Sequence, residues 1–380
     1  MQHYVLGDVI TEISERENNP SNSEYERFVG LEHYVSGEVE IENYGSTANL
    51  NSAMKVFNSG DILVARRNVY LKRASVVYFD GLTSGDSIVL RPKNETIGRI
   101  LPFILNTDDF WDYADQYSDG TMSKRLSPKV LKQYEFDLPD DNLEQLADIL
   151  WAMVDVKKSY QRLLKRTDEL VKSQFIEMFG EEKIEDCRWP VMFMEDVFSI
   201  TSSRRILKSE WKTEGNIPFI RVRDMVQLAN KEPLTNEFFV SDEFYNSRPE
   251  NEKVKAGDII ISATSTIGRT YVIKQGERFY FKDADVLLFR KKQEINEEFF
   301  TYGLTMPTVW TQIEGGLGAT TVAHFLISKA CKIKQPLPPI ELQEEFALLL
   351  KQCDKSKFEL KQAIEGVDLL IKSMIQQELN

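Results

Sequence analysis

The sequence repeats itself at an offset of about 200 residues, and this internal repeat constrains the fold more than any other feature. In each half a Gly-Asp pair leads into a run of aliphatic residues, Gly60–Val64 and Gly257–Ile261. A turn residue followed by an apolar run is typical of a buried β-strand. Later in each half a Leu-Pro pair, Leu138-Pro139 or Leu337-Pro338, precedes a long helical pattern. We therefore expect one architecture that is built twice.

Other segments that correspond between the halves predict short helices and strands. They are Leu6–Val9 with Met194–Val197, Phe28–Leu31 with Phe219–Val222, and Asp86–Arg91 with Asp285–Arg290. Short β-rich runs such as Ser75–Asp80 and Phe279–Phe281 alternate with turn signals and a few helices. This mixture indicates the α+β class, with one mixed α/β domain in each half.

Each half ends in a helical segment in which mostly apolar residues recur at alternating spacings of three and four, with Thr167, Gln174 and Ser356 as polar exceptions that weaken the repeat. These positions are Leu146, Ile149, Met153, Val156, Tyr160, Leu163, Thr167, Leu170 and Gln174 in the first segment, and Phe346, Leu349, Cys353, Ser356, Leu360, Ala363, Val367, Leu370 and Met374 in the second. A seven-residue apolar repeat is a coiled-coil signal. The alternative is two amphipathic helices that each pack on their own domain. The connectivity favours antiparallel pairing of the two helices, with an approximate two-fold axis.

These features divide the chain into five segments. They are a first domain over residues 1–140, a long helix over 141–180, an acidic linker over 181–187, a second domain over 188–338 and a second long helix over 339–380. At about 1.5 Å per residue, each helix would extend about 50 Å, which suits a spacer better than a domain core.

Composition and motifs exclude several classes of protein. The three cysteines include no C-x-x-C pair and the three histidines lie far apart, so neither a disulfide framework nor a zinc site is expected. No phosphate-binding, dinucleotide-binding or catalytic motif is present. Because there is no signal-like N-terminus and no apolar run of about 20 residues, we expect a cytoplasmic protein without a membrane contact.

The net charge of −13 opposes a generally basic DNA-binding surface, because neutralising phosphates requires Lys and Arg. Only residues 188–338 carry a slight excess of basic side chains. Any DNA contact must therefore depend on local basic clusters or on a partner that supplies further positive charge.

The order of the repeated motifs resembles that of the specificity subunits of type I restriction-modification enzymes. The segments that carry the resemblance are Gly257–Ser262, Leu337–Glu344 and Lys372-Ser373 in the second half, and Gly60–Leu63, Leu138-Pro139, Gln145 and Lys172-Ser173 in the first. No segment is specific alone, but their order, repeated over the whole chain, is. The first half departs from the pattern at Asp140-Asp141, which leaves the start of its helix open by several residues.

The resemblance implies a non-catalytic subunit with two target recognition domains, each reading one half of a split, asymmetric DNA target. It also implies that the helices hold the domains apart and bind two modification subunits. Those partners would carry the S-adenosylmethionine site and the methylation chemistry, and restriction subunits would add the motor and nuclease. This chain itself would bind no cofactor. The competing hypotheses are a coiled-coil protein scaffold without DNA sequence specificity, and an enzyme with an unrecognised active site.

The candidate DNA contacts follow from side-chain chemistry, because Arg pairs with guanine, Asn pairs with adenine, and Lys suits phosphate. In the first half they are Arg66, Arg67, Asn68, Tyr70, Lys72 and Arg73, with Ser123, Lys124 and Arg125 in a second loop. In the second half they are Ser203, Arg204, Arg205, Arg221, Arg223, Thr264, Ser265, Thr266 and Arg269, with Thr320, Thr321 and His324. The alternative for each residue is an ordinary solvated loop position.

Overall fold

Most strands and helices follow the same order in both halves of the chain. The computed structural model describes residues 1–120, 123–139, 142–180, 184, 187–235, 237–315 and 324–379. It divides into two units, Met1–Leu163 with Leu360–Asn380, and Leu164–Glu359. The predicted linker, apart from residues 184 and 187, lies outside the described residues.

Within its described residues the first half contains eleven strands and four short helices and leads into a long helix. They are β1 (Gln2–Val5), α1 (Leu6–Val9), β2 (Ile10–Ile13), β3 (Arg16–Glu17), β4 (Arg27–Val29), β5 (Gly45–Ser46), β6 (Met54–Phe57), β7 (Ile62–Ala65), β8 (Ala74–Val76), β9 (Gly81–Thr83), β10 (Ser87–Pro92), α2 (Glu95–Ile104), α3 (Asp108–Tyr117), α4 (Pro128–Leu131), β11 (Glu135–Leu138) and α5 (Leu143–Phe179).

Among the residues that the structure describes, the second half has two strands fewer and two short helices more. Its elements are β12 (Val191–Phe193), α6 (Met194–Val197), β13 (Phe198–Thr201), β14 (Ile217–Ile220), α7 (Val222–Ala229), β15 (Phe239–Val240), α8 (Asp242–Asn246), β16 (Ile259–Ser262), β17 (Thr270–Val272), β18 (Tyr280–Phe281), β19 (Val286–Lys291), α9 (Glu297–Gly303), α10 (Pro307–Gly315), α11 (Ile327–Ala330), β20 (Lys334–Pro336) and α12 (Ile340–Leu379). The predicted mixed α/β architecture and the internal repeat are therefore confirmed.

The four-stranded sheets and the terminal strand pairs of the two units correspond strand by strand, whereas the remaining sheet has five strands in the first unit and three in the second. In the first unit an antiparallel sheet has the order β2-β10-β7-β8, a five-stranded sheet has the order β3-β6-β9-β4-β5, and β1 pairs with β11. In the second unit the matching orders are β13-β19-β16-β17 and β15-β14-β18, and β12 pairs with β20. In both units one pair of strands is parallel, β4 with β9 and β14 with β18.

The Gly-Asp pairs make the tight turns that begin the central strands β7 and β16. Gly60 has φ +90° and Gly257 has φ +82°, backbone conformations that glycine adopts without a steric cost. The next residues, Ile62–Val64 and Ile259–Ile261, are fully buried, as their unbroken aliphatic sequence predicts. The turn and the strand are thus both encoded locally.

The core of the first unit packs the sheet containing β7 against helices, with Leu90, Ile100, Trp111 and Leu150 among its buried residues. One correction concerns the β-rich run Ser75–Asp80. Strand β8 ends at Val76, because Val77 and Phe79 leave the β7 ladder and pack with Phe57 in a separate apolar cluster.

The two long helices pair antiparallel within each unit, as predicted. In the first unit Nζ of Lys157 lies 2.7 Å from Oδ1 of Asp368, while Leu146, nearer the start of α5, lines a surface cavity with Met374, nearer the end of α12. In the second unit Nζ of Lys357 lies 3.1 Å from Oδ1 of Asp168, and the rings of Phe175 and Phe346 are 5.1 Å apart. In both units, residue numbers rise along one helix as they fall along the other.

The apolar seam differs from the heptad prediction. Ile149, Val156, Leu163 and Leu170 on α5, and Leu370 on α12, are exposed. The predicted positions Leu146, Phe346 and Cys353 are buried. The rest of the buried face of α5 is formed by Leu150, Val154, Val171 and Phe175, because each end of the helix also packs on the globular core of its unit. The helices therefore combine mutual pairing with the amphipathic packing that was the alternative prediction.

The next features are the cysteines, possible metal ligands and possible membrane-spanning helices. The three cysteines are free. Among the described residues, no group of three or more His, Cys, Asp or Glu side chains could hold a metal ion. Within these described ranges, no helix combines the length and the apolar character that crossing a membrane requires.

Candidate nucleic-acid interface

Two loops meet at the carboxyl end of β7 in the first unit. Arg67 and Arg125 form an antiparallel bridge, and the backbone N–H of Leu126 donates to the carbonyl of Arg66 at 2.8 Å. The backbone N–H of Asn68 donates to the carbonyl of Lys124 at 3.1 Å, and Asn68 adopts the left-handed conformation with φ 54°. The structure thus brings together the two segments that were proposed separately from the sequence.

We call this bridge with its backbone hydrogen bonds the frame of the unit. The second unit repeats the frame at the end of β16. Thr264 and His324 form the matching bridge, and the N–H of Phe325 donates to the carbonyl of Ala263 at 2.8 Å. Ser265 is left-handed with φ 57°, as Asn68 is. The two frames therefore hold different side chains on one backbone arrangement. Their matching positions carry Arg67 and Arg125 in one unit, and Thr264 and His324 in the other.

In the first unit one carboxylate receives both arginines of the frame. Nη2 of Arg125 donates to Oδ1 of Asp86 at 2.7 Å, and Nη1 of Arg67 donates to Oδ2 at 3.4 Å. The Arg67 side chain is 48% exposed and the Arg125 side chain is 46% exposed. Both guanidinium groups can therefore contact a ligand while they keep their hydrogen bonds to Asp86.

Arg66 interacts electrostatically with this carboxylate, and Lys55 interacts in turn with Arg66. Nε of Arg66 is buried and has no hydrogen-bond partner among the described residues, and buried Lys55 donates from Nζ to the carbonyl of Ser87 at 2.8 Å. Burial and the charge of Arg125 lower the pKa of Arg66, and burial also lowers the pKa of Lys55. We call Lys55, Arg66, Arg67, Asp86 and Arg125 the strand-end cluster. Glu12 also acts on Lys55 and Arg66, so four basic side chains lie near two carboxylates.

The two predicted lysines of the first unit already pair with carboxylates. Nζ of Lys72 lies 2.5 Å from Oδ1 of Asp108, and this hydrogen bond lowers the pKa of Asp108. Nζ of Lys124 lies 2.5 Å from Oδ2 of Asp115. Either lysine must therefore share or leave a carboxylate to bind a phosphate.

The other first-unit candidates differ in exposure. Arg73 donates to the carbonyls of Leu31 and Arg67, at 3.0 and 3.1 Å, and so supports the loop. Ser123 donates from Oγ to Oδ1 of Asn68 at 3.2 Å. The side chain of Tyr70 is exposed and free to stack on a ligand.

The frame of the second unit is less basic. Asp285, which matches Asp86, pairs with Lys282 instead of with the frame. Thr264 is buried, while Ser265, Thr266, Arg269 and His324 are exposed. Thr320 and Thr321 lie outside the described residues.

The remaining second-unit candidates fall into three groups. Arg221 and Arg223 both donate to the carboxylate of Glu237 at 3.0 Å, and the bond from Arg221 lowers the pKa of Glu237. Ser203 is buried and its Oγ donates to the carbonyl of Phe281, which is a structural role. Arg204, Arg205 and Arg269 are exposed, and none of them pairs with a carboxylate that the structure describes.

Sequence reasoning missed the acidic partners of these arginines. Asp86 and Glu237 each hold two of the predicted DNA contacts, and Lys55 adds a buried positive charge. One signal was present, because an Asp precedes the matching strand in both halves, as Asp86 and Asp285. The pairing itself depends on the fold and not on spacing.

The chain is similar in sequence to type I restriction enzyme specificity subunits. The sequence profile of the type I restriction modification DNA specificity domain matches residues 188–366. The Haemophilus influenzae protein S.HindORF215P, named as a type I restriction enzyme specificity subunit, is 26% identical over 261 residues. That match spans 67% of this chain and 63% of the length of that relative.

Solved structures share the fold. A chain from a study of complex assembly and conformational transition of the type I R-M system has a TM-score of 0.59 at 19% identity, covering 100% of this chain and 97% of its own. The S subunit of a type I restriction-modification system from M. genitalium has a TM-score of 0.55 at 14% identity, covering 98% of this chain and 95% of its own.

Proposed function

We propose that this chain reads a DNA target in two halves of different sequence and positions partner enzymes on it. The proposal follows from its membership of the family of type I restriction-modification specificity subunits. Each globular unit would act as one target recognition domain. The chain itself would be non-catalytic and would bind no cofactor.

The observation that carries the split target is the repeated frame. The bridge of Arg67 with Arg125 and the bridge of Thr264 with His324 occupy equivalent places on equivalent strands. Arginine offers a forked set of donors, whereas the exposed side chains beside buried Thr264, which are Ser265 and His324, offer single groups that donate or accept. Two such surfaces would select different bases, which is what an asymmetric bipartite target requires.

Charge supports DNA as the ligand of these loops. The strand-end cluster holds an excess of cations within a half that is acidic overall, and exposed Arg204 and Arg205 lie near no described carboxylate partner. Because the chain has a net charge of −13, most of the affinity for phosphate would have to come from a basic partner subunit.

The long helices offer surfaces for those partners. In the first unit they expose Ile149, Val156 and Leu369, and in the second they expose Leu348 and Phe358. Exposed apolar residues mark a protein interface where they join into a contiguous patch. One such surface in each unit would suit two modification subunits, which would bring S-adenosylmethionine and the methylation chemistry, with restriction subunits joining them.

The test is to sequence the methylated positions of host DNA with and without this gene. We expect a split motif that is methylated only when the gene is present. The change Arg67→Ala should relax one half of that motif and leave the other half intact. Methylation that does not depend on the gene would refute the proposal.

The second candidate function is a coiled-coil scaffold without DNA specificity, which the same exposed apolar residues favour. Salt dependence distinguishes the two functions. DNA binding by a few arginines weakens steeply as the salt concentration rises, whereas an apolar protein interface does not.

A further inference from the structure

We propose that Asp86 determines specificity in the first half-site by orienting Arg67 and Arg125 toward a G·C base pair. This inference rests on the proposed function and names the base that the first unit reads. Asp86 is a positioning residue in this scheme, and the two arginines make the contacts with guanine.

The backbone fixes the carboxylate between its two arginines. The carbonyl of Asp86 accepts the backbone N–H of Arg66 at 2.9 Å, and its own N–H donates to Oγ of Ser84 at 3.2 Å. The bridge between Arg67 and Arg125 fixes the other two backbones of the group. All three side chains therefore start from positions that the end of the β7 ladder holds in place.

Each arginine keeps donors that Asp86 does not use. A guanidinium group has five N–H donors in a rigid planar fork, and each arginine gives hydrogen bonds to Asp86 from one terminal nitrogen only. The remaining donors suit the O6 and N7 acceptors of guanine in the major groove. Because Asp86 already orders the guanidinium fork, the side chain loses less conformational entropy on binding DNA than a free arginine would.

The carboxylate makes a base pair a better ligand than a phosphate. Asp86 would repel a phosphate placed at these arginines. A G·C pair instead presents two acceptors on guanine and the N4 amino donor on cytosine, and a carboxylate can accept from that donor. Donors and an acceptor at the cluster thus match acceptors and a donor on one base pair.

The second unit lacks this arrangement and provides a matched control. Asp285 occupies the position of Asp86, but its carboxylate pairs with Lys282, three residues away in sequence. The frame residues beside it are Thr264 and His324. Changing Asp285 to Asn should therefore leave the first half-site unaffected.

The experiment selects binding sites from a pool of randomised DNA duplexes. The full chain, in complex with its modification subunits, is used as wild type and as the variants D86N, R125K and D285N. The selected duplex is then prepared with 7-deazaguanine, which lacks the N7 acceptor and keeps Watson–Crick pairing. The dissociation constant of each protein is measured with both duplexes.

We expect a G·C pair in the first half-site, and a loss of affinity of about 5- to 150-fold for wild type when the analogue replaces its guanine. D86N and R125K should bind more weakly and lose little more with the analogue, while D285N should behave as wild type there. Retained selection of the second half-site shows that each variant is folded, and R125K tests the fork without altering the carboxylate.

A first half-site without a G·C pair, or an equal analogue penalty in wild type and D86N, would overturn the inference and leave the proposed function standing. Failure of the wild-type complex to select any sequence would instead overturn the proposed function.

Discussion

The guanidinium group of Arg91 donates two parallel hydrogen bonds to the carboxylate of Asp61, from Nε to Oδ1 and from Nη2 to Oδ2, each 2.8 Å long. Asp61 also accepts the backbone N–H of Asn58 at 2.8 Å. Arg290 and Asp258 repeat the pair, with bonds of 3.0 and 2.6 Å. The Asp of each Gly-Asp motif thus ties the turn before the central strand to the end of the neighbouring strand.

The change Asp61→Ala should lower the free energy of unfolding by about 1.5–3 kcal/mol, because it removes charge-assisted hydrogen bonds from a buried carboxylate position. Asp258→Ala should have a similar cost in its own unit. Urea unfolding followed by circular dichroism measures both changes. The exposed Asp196→Ala is the control, and equal stability of D61A and D196A would contradict the prediction.

The repeated motifs allowed much of the fold to be predicted, because glycine turns, aliphatic strands and post-proline helices are encoded locally. The face that each helix buries was predicted less well. Ile149 and Val156 fit a heptad pattern and are exposed, whereas Leu150 and Val154 are buried. A heptad describes packing on one partner helix, but α5 packs on a helix and on a globular core together.

The matched lysines of the helix pair should differ in their contribution to stability. The Lys157 side chain is 8% exposed and bonds Asp368 and Glu38, while the Lys357 side chain is 24% exposed. Lys157→Met leaves two carboxylates without their shared cation, and we expect it to cost about 1–3 kcal/mol. Lys357→Met should cost less. Equal unfolding free energies for the two variants would argue against a special role for the buried lysine.

The pH dependence of the Lys157 contribution follows from its pKa. Burial lowers that pKa, but hydrogen bonds to Asp368 and Glu38 outweigh burial and leave it raised. The stability from this lysine is therefore complete below the pKa of an unfolded lysine, about 10.4, and is lost as the pH rises through the higher folded value. The difference between wild type and K157M should be constant from about pH 7 to 9 and shrink above about pH 10.4. Shrinkage at lower pH would contradict it.

The chain alone should neither methylate nor cleave DNA, because its sequence contains no catalytic motif. Purified protein incubated with labelled S-adenosylmethionine and DNA should transfer no methyl groups, and adding the modification subunits should start the transfer. A catalytically inactive modification subunit is the control for contaminating activity. Methyl transfer by the isolated chain would refute the non-catalytic role.

The candidate site shows where sequence reasoning reaches its limit. Side-chain type predicted Arg67 and Arg125 as separate DNA contacts, and the fold brings both onto one carboxylate. It could not foresee that Lys72 pairs with Asp108, because that contact joins residues distant in sequence. Long-range ion pairs decide which predicted cations remain available, and only the three-dimensional structure supplies them.

Arginines without a carboxylate partner should therefore contribute more to phosphate binding than Lys72 does. Each phosphate contact that is lost should reduce the slope of log affinity against log salt by about 0.9. We expect that reduction for Arg204→Ala and Arg205→Ala, since neither side chain pairs with a described carboxylate. Lys72→Ala should reduce the slope by less, because phosphate binding by Lys72 requires it to give up or share Asp108.

Fluorescence anisotropy of a labelled target duplex across a salt series measures the slopes, with Ser123→Ala as an uncharged control. A reduction by Lys72→Ala as large as that of the arginine variants would mean that Lys72 leaves Asp108 on binding DNA, as its original assignment to phosphate requires.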